Sequence, residues 1–596
     1  VHKDDQQQQQ HVQDNLEPPF GIKCINEFLG ILVSIISPSN QYQHMESTRV
    51  FALSLINTAV EVAGSQISRH LSLLTMIADP VSKHILQIIT TTESSALLKP
   101  ALQLFSTVSI VLGRELKPQF ELSMMLISRS ILPKQKKDNK NDRTSSGNLQ
   151  NRSPIAKELL LESLSLLWSR SPTFFTELFV EYDCDFDKSN LSIDTIKFLC
   201  QLSLPESALN TTVNVPPLCL EGILHFLNGV NERSKTFSSN EKVSAANEYI
   251  KNKLKKSAFI KCTEVINKKP KDGIKLLASE NFIADEKDVA EVANFFFTKA
   301  GRLDKKMLGE FLAKPSNFEI LQHFIKLFDF EGLRVDEALR VLLKTFRLPG
   351  ESQQIERIVE TFAQIYVSCQ KDGLRENKPV SSTNHDDSEL EDDESDVVKP
   401  DKDSVFILSY SIIMLNTDLH NPQVKRQMLL DDYKRNLRGT YNGKDFPDWY
   451  LAKIYLSIKD REIIMPEEHH GTEKWFDDVW HNLISTQDFT QRGHVNLEND
   501  STCEFDRELF KSVFHDIVDM IMMIYKEASD DHVLTRLMSS LDKIFNICLT
   551  YDMEVEIDDL TCRLVESSNL LKTTLQKVHV DDNIRPEIPI TQIKIE

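Results

Sequence analysis

Glycine is scarce, at 17 of 596 residues, or about 3% against a usual ~7%. Few glycines means few tight turns and few sites for a glycine-rich phosphate cradle. Many-stranded sheets are therefore disfavoured and long helices favoured. The nine cysteines include no Cys-x-x-Cys pair, which fits reduced thiols in a cytosolic compartment better than a disulfide scaffold. No apolar run reaches the ~18–20 residues of a membrane span; the longest lies around Phe28–Ser37. Positive charge is also short. Lys and Arg number 69 against 89 Asp and Glu, a net charge of −20 at pH 7. That balance argues against a general nucleic-acid binder, because neutralising phosphates needs a basic surface. Several catalytic signatures are missing as well: G-x-x-x-x-G-K-[ST], G-x-G-x-x-G after a strand, H-E-x-x-H and G-x-S-x-G. His469 and His470 are adjacent and point to different sides of a helix, with no third ligand at metal spacing, so no metal site is expected.

What is present reads as helix. Hydrophobic residues make up 41% and charged residues 27%, as in a soluble globular protein, and the length allows roughly three or four domains. The chain starts at Val1 with a glutamine run, which predicts a disordered tail and no signal peptide. The missing initiator Met is the mark expected of a fragment. From Pro19 a series of amphipathic stretches follows: Phe20–Ile36, Glu46–Val62, Ser65–Ile77, Pro80–Ile89, Ser94–Leu112 and Lys117–Leu132. All carry apolar residues at three- and four-residue spacing. Two of them are largely apolar and need neighbours on more than one side, so stacking into an α-solenoid is predicted. Residues 133–152 read as a flexible loop, and residues 205–217 as irregular. Lys251, Lys253, Lys255 and Lys256 sit on one helix. They form either a solvated face or a basic edge toward an anionic membrane or acidic partner. Residues 386–396 hold eight carboxylates and predict a self-repelling surface loop, with Ser388 and Ser395 in acidic context. Met520, Met522 and Met523 read as helix core.

Two segments are distinctive. In FRLPGESQQIERI, Phe346–Ile358, a helix over Val335–Thr345 is stopped by Pro349–Gly350 and a second helix starts at once. Glu351 is thereby placed in a tight turn at a helix N-terminus. There it either complements the helix dipole, worth ~0.3–1 kcal/mol, or presents a rigid, exposed carboxylate to a partner. In SYSIIMLNTDLHNPQV, Ser409–Val424, an apolar helix is expected to break at Asn416–Thr417–Asp418, with a further stop at Asn421–Pro422. Together the two segments predict an apolar groove with polar groups at one rim.

This pair of motifs resembles the Sec-seven domain, the catalytic domain of exchange factors for Arf small GTPases. The similarity extends through INKKPKDGIKLL (Ile266–Leu277), GRLDKKMLGEFL (Gly301–Leu312), FDFEGLRVDEALRVLLKTFRLPGE (Phe328–Glu351) and MPEEH (Met465–His469). The flanks are similar to the large Golgi exchange factors called Gea or GBF. FTELFVEYDCDFDKSNL (Phe175–Leu191) looks like the homology-upstream box through Tyr182, Asp183, Cys184 and Asp185, with Glu181 where the family usually has Asn. ASDDHVLTRLMSSLD (Ala528–Asp542) looks like the first homology-downstream segment.

The resemblance implies an all-α protein, in which an armadillo/HEAT-like helical solenoid flanks an all-helical Sec-seven domain. It implies a tail over 1–18, then the end of a dimerisation and cyclophilin-binding segment and the start of the upstream segment over 19–132. A loop follows over 133–152, the rest of the upstream segment over 153–250 with its box at 175–191, the exchange domain over 251–470 with an acidic loop at 371–404, and a linker with the first downstream segment over 471–596. It implies that Glu351 is catalytic and enters the partner's nucleotide site. Asn421, Met414, Ile413 and Asn416 are implied to line the GTPase groove. Tyr410, Ser411, Asp418 and Met428 are all of the type found in family members inhibited by brefeldin A. No cofactor of the chain's own is implied, since Mg²⁺ and GDP or GTP belong to the GTPase. The implied partners are an Arf-family GTPase, a peripherally bound early-Golgi membrane and a second copy in the full-length protein, with no nucleic acid. The rival reading is a non-catalytic helical scaffold that keeps the groove only to bind a GTPase.

Overall fold

A computed structural model describes residues 21–132, 152–236, 246–370, 374–375, 397–421, 424, 426–463, 473–487 and 499–568. The expected N-terminal tail, the 133–151 loop, the acidic run and the His469–His470 pair lie outside the described residues. By packing, the chain forms two units. One draws its described residues from Val1–Lys140, Asn148–Lys256 and Asp477–Glu596, the other from Ser257–Phe476.

The first unit is helical throughout. Its helices are α1 (Ile22–Ile36), α2 (Glu46–Ala63), α3 (Leu71–Met76), α4 (Ser82–Thr91), α5 (Ser95–Leu112), α6 (Lys117–Ile131), α7 (Pro154–Arg170), α8 (Phe174–Leu178), α9 (Leu191–Leu202), α10 (Val215–Ser234) and the start of α11 (Ala246–Lys268). The same cause repeats in each. In α1, Leu29, Leu32, Val33 and Ile36 are the buried side chains, a stripe at helical spacing that needs a neighbour. α5 is buried on several faces because it packs against α2, α4 and α7. Pro80 does not break the chain, as Pro80–Ile89 as a separate start would require. Instead Ile77–Val81 forms a single π-turn between α3 and α4. Proline removes one N–H and clashes one turn back, and the hydroxyl of Ser82 donates to the Ile77 carbonyl at 2.6 Å.

Two segments, Glu46–Arg69 and Ser95–Leu112, pass the length and hydropathy criteria of a membrane span, which amends the reading of the apolar runs. They pack against each other through buried residues such as Leu53, Ile56 and Leu98, as core helices do.

The C-terminal helices α22 (Asn499–Glu527) and α23 (Asp531–Thr550) belong to the same unit and pack on α9 and α10. The contact is pinned by Asp506, fully buried. It accepts from Arg233 Nε at 2.6 Å and Nη2 at 3.0 Å, and from Thr176 Oγ1 at 2.5 Å. A bidentate guanidinium is the geometry that makes a buried carboxylate tolerable.

The Tyr182–Asp185 box lies in this unit as a knot of backbone contacts. Phe179–Asp183 is a π-turn closing α8. Asp183 Oδ2 accepts from Ser192 N at 2.8 Å and Oδ1 from Ile193 N at 3.2 Å, capping α9. Burial pushes its carboxyl up to about 7, against the pull of those N–H groups and of the Lys253 and Lys256 charges. Tyr182 OH donates to the Lys117 carbonyl at 3.3 Å, Cys184 is buried, and Asp185 accepts from Asp187 N at 3.0 Å.

The lysine helix follows the solvated-face reading only in part. Lys251 and Lys255 are exposed, but Lys253 and Lys256 are buried. Lys256 Nζ donates to the carbonyls of Tyr182 at 2.9 Å, Asp183 at 3.2 Å and Ser189 at 3.0 Å. The Tyr182 carbonyl also accepts from Asp185 N at 3.2 Å, and an ammonium with three donors fits the three converging carbonyls.

The second unit begins within α11 and continues through α12 (Pro270–Ser279), α13 (Val289–Thr298), α14 (Lys305–Leu312), α15 (Phe318–Lys326), α16 (Val335–Leu343), α17 (Ser352–Cys369), α18 (Lys402–His420), α19 (Leu430–Asn436) and α20 (Asp448–Asp460). Leu374–Arg375 and Val397–Val398 form one antiparallel two-residue ladder; the fold is otherwise all-α. Its core is aromatic. Phe324 meets Phe328 edge-on at 5.5 Å and Phe346 at 6.1 Å, and Phe330 meets Phe362 at 5.3 Å.

Replacing Lys256 by Met should take the ammonium from three carbonyls, of which Tyr182 keeps the Asp185 N–H, at ~1–3 kcal/mol for each acceptor left unmet. A loss on the order of 3 kcal/mol or more is expected. Lys255→Met, on the exposed side, should stay within ~0.5 kcal/mol. Denaturant melts of the two variants against the parent measure the difference.

Candidate functional site

The site is built where α16 ends and α17 begins. α16 starts with a capping box between Arg334 and Glu337, and its Arg334 guanidinium holds the buried Asp336 by two 3.0 Å bonds. Beyond its end Phe346 is fully buried in the aromatic cluster. Arg347 N then donates to the Lys305 carbonyl at 3.0 Å, and Pro349 is buried. The chain is therefore held on both sides before it reaches Gly350 and Glu351.

Glu351 is the N-cap of α17, with φ −91° and ψ 129°. Its carbonyl accepts from Gln354 N at 3.0 Å and Ile355 N at 3.1 Å, which fixes the backbone as the first link of the helix. Its carboxylate does not cap the helix. It is exposed and accepts a 2.6 Å bond from Gln354 Nε2. Among the described residues no Lys or Arg is paired with it. A fixed backbone thus carries an uncompensated negative charge at the positive end of a helix.

α18 packs against α17. Lys402 Nζ meets Glu360 at 2.7 Å, and the Glu356 charge helps to raise the Tyr410 phenol, behind the larger effect of burial. Val405, Leu408, Ile412, Leu415 and Leu419 form the buried stripe of α18. Met414 is 66% exposed and Ile407 42%, and Ile413 is half-buried, so the outward face offers apolar surface.

The expected break at Asn416–Thr417–Asp418 does not occur; α18 runs on to His420. Asn416 turns inward. Its amide donates to the Ile463 carbonyl at 3.2 Å and accepts from Ile463 N at 2.7 Å. Thr417 bonds back to the Ile413 carbonyl at 3.1 Å, a pattern compatible with helix. The stop comes at Asn421, half-buried and extended, as suits the residue before a proline. Its N–H bonds to the Thr417 carbonyl at 3.0 Å.

Asp418 and Met428 are brought together: Met428 N donates to Asp418 Oδ2 at 2.5 Å. The Met428 carbonyl accepts from Tyr455 OH at 2.8 Å. Ser411 bonds the hydroxyl of buried Tyr433 at 3.1 Å, and Tyr410 meets Phe406 edge-on at 5.2 Å. Tyr433, Tyr455 and Ile463 are supports that sequence reading did not identify. All three act at long sequence separation, Ile463 through its backbone, so no local pattern points to them. The Tyr182–Asp185 box belongs to the other unit and is not part of this site.

Asn416→Ala should cost about 2–3 kcal/mol, because both polar backbone atoms of a buried Ile463 lose their partner. Asn416→Asp keeps the acceptor but faces the Ile463 carbonyl without a donor and should recover only part of that loss. Urea midpoints of the two variants distinguish these outcomes.

Comparison with known proteins follows the same division. Residues 255–463 match the Sec7 domain and residues 21–191 the Mon2/Sec7/BIG1-like HUS domain. ARF guanine-nucleotide exchange factor 2 of Saccharomyces cerevisiae is 42% identical over 600 residues, covering 98% of this chain and 40% of that protein. ARF guanine-nucleotide exchange factor 1 of the same yeast is 41% identical, covering 98% and 41%. This chain thus spans about two fifths of the length of these curated relatives. A solved structure, ARF1-GDP bound to a Sec7 domain complexed with brefeldin A, is 53% identical over 36% of this chain and 97% of that one, with a TM-score of 0.31. With HUS and Sec7 domains in order and nearly its whole length aligned to such factors, the chain belongs to the family of large Sec7-domain ARF guanine-nucleotide exchange factors of the Gea/GBF type.

Proposed function

We propose that this chain releases GDP from an ARF-family GTPase so that GTP can take its place. The observation that carries the reading is the Glu351 carboxylate, exposed and unpaired by any described cation on a backbone held from both sides. Glu351 makes and breaks no bond. Brought beside the β-phosphate, it repels the diphosphate and competes for the Mg²⁺ and phosphate-binding lysine that belong to the GTPase. Two unit charges 4 Å apart at an effective dielectric of 20 interact by ~4 kcal/mol, a rate factor of roughly a thousand. The gain is differential binding along the dissociation path, with the nucleotide-free complex favoured over the GDP complex. Met414 and Ile413 supply apolar contact to the GTPase's switch region, and Asn421 holds its backbone. Asn416 acts indirectly, by holding the end of α18 in place.

The reading extends to a peripheral place on early-Golgi membranes, where activated ARF recruits coats for ER–Golgi transport, and to a homodimer of the longer protein. The retained carboxylate favours an exchanger over a scaffold that only binds a GTPase.

Glu351→Lys should abolish exchange and cost no more than ~1–2 kcal/mol of stability, since the side chain is exposed and only the helix-end charge is reversed. Stopped-flow release of mant-GDP from ARF measures the first and a thermal melt the second; wild-type release by this variant refutes the reading.

Tyr410, Ser411, Asp418 and Met428 are the four positions of the brefeldin-sensitive type. Brefeldin A should therefore trap this chain with ARF-GDP in an abortive complex. Exchange that stays unchanged at saturating drug counts against that assignment.

A further inference from the structure

We propose that Gly309 is a positioning residue for Glu351, an assignment that rests on the exchange reading above. Gly309 lies inside α14, eight residues long and well anchored. Asp304 Oδ1 caps α14 through Met307 N at 2.8 Å, and Asp304 N donates to Asn267 Oδ1 at 2.9 Å. Lys305 Nζ bonds the Ala300 carbonyl at 2.6 Å, and Asn317 bonds the Phe311 carbonyl at 2.8 Å. The helix is held at both ends and cannot readily back away.

Against this helix the chain leading to Glu351 makes its closest approach. A Cβ placed on Gly309 would lie 1.9 Å from the Arg347 carbonyl oxygen, 3.1 Å from its carbon and 3.4 Å from Phe346 Cδ2. Nothing else at this position requires glycine, since its φ is not in the left-handed region. Glycine inside a helix costs up to ~1 kcal/mol relative to alanine. Its use here admits a neighbouring backbone. The same approach allows Arg347 N to reach the Lys305 carbonyl at 3.0 Å.

A methyl group at position 309 cannot be absorbed by a side-chain rotation, because the atom it meets is main chain. Relief on the far side is blocked by Phe346, fully buried against Phe324. The remaining path is displacement of the 347–351 segment by about 1.5 Å, the gap between 1.9 Å and the 3.4 Å at which ordinary non-bonded contact begins. Misplacing a reacting group by ~1 Å can cost on the order of a hundredfold in rate. Gly309 touches neither nucleotide nor GTPase in this reading and acts only through where it lets the carboxylate stand.

The test is nucleotide exchange on ARF by the whole 596-residue chain carrying Gly309→Ala, with kcat and KM for ARF measured separately. Gly301→Ala, where a Cβ meets nothing within 4 Å, is the matched control. The expected result is a fall in kcat of about 10- to 100-fold, with KM within about threefold and Gly301→Ala at the parent rate. A folded Gly309→Ala chain with kcat within twofold of the parent overturns the proposal, as does an equal loss in KM alone. Should Gly309→Ala fail to fold, one glycine inserted between Leu348 and Pro349 decides. It leaves the 309–347 contact intact but loosens the carboxylate, so unchanged kcat overturns the proposal and a matching loss supports it. Glu351→Lys run in parallel separates the two levels: if that variant exchanges normally, the exchange reading itself fails. If only the Gly309 and insertion variants do, positioning alone is wrong.

Discussion

The hydrogen bond from Arg347 N to the Lys305 carbonyl is the constraint on which the site depends. It ties a short loop to a capped helix at the one place where a glycine lets two backbones meet. Phe346 holds that loop from the core side, and the first turn of α17 takes it up through the Glu351 carbonyl. An exposed carboxylate is ordinarily mobile and solvated. This one still has free torsions, but its backbone is fixed on both sides, so most of the ordering a partner would have to impose has been done in folding.

Much of this was legible in the sequence. Pro349–Gly350 between two apolar periodicities predicts a helix–turn–helix with Glu351 at the second start, and the structure places it at the N-cap. The stripe Val405, Leu408, Ile412, Leu415 and Leu419 is legible for the same reason, since its spacing is set by helix geometry alone. What sequence could not show is where polar side chains go once helices pack. Asn416 reads locally as a helix breaker because its amide competes for its own backbone. In the fold it is spent on Ile463, 47 positions away, and the helix continues. The buried lysines fail as a prediction for the same reason. Charge on a helix face reads as solvated until the three carbonyls that receive Lys256 are known.

The two units solve opposite problems. The Tyr182–Asp185 box spends its polar groups inside, capping α9 and receiving Lys256, so its role in the structure is architectural. The Glu351 site leaves its key charge outside. The downstream helices add to the first unit by long-range contacts such as Arg233 and Thr176 on Asp506. Segments far apart in sequence therefore share one core, and the first unit is discontinuous along the chain.

Met414 has one further consequence. Among the described residues it is the most exposed large apolar side chain of the second unit, and its thioether is open to peroxide. Conversion to the sulfoxide would make that surface polar and chiral without disturbing any buried neighbour. On the exchange proposal, a chain oxidised at Met414 would keep its helices and its glutamate and lose apolar contact to the GTPase, a loss that a reductase for methionine sulfoxide would reverse.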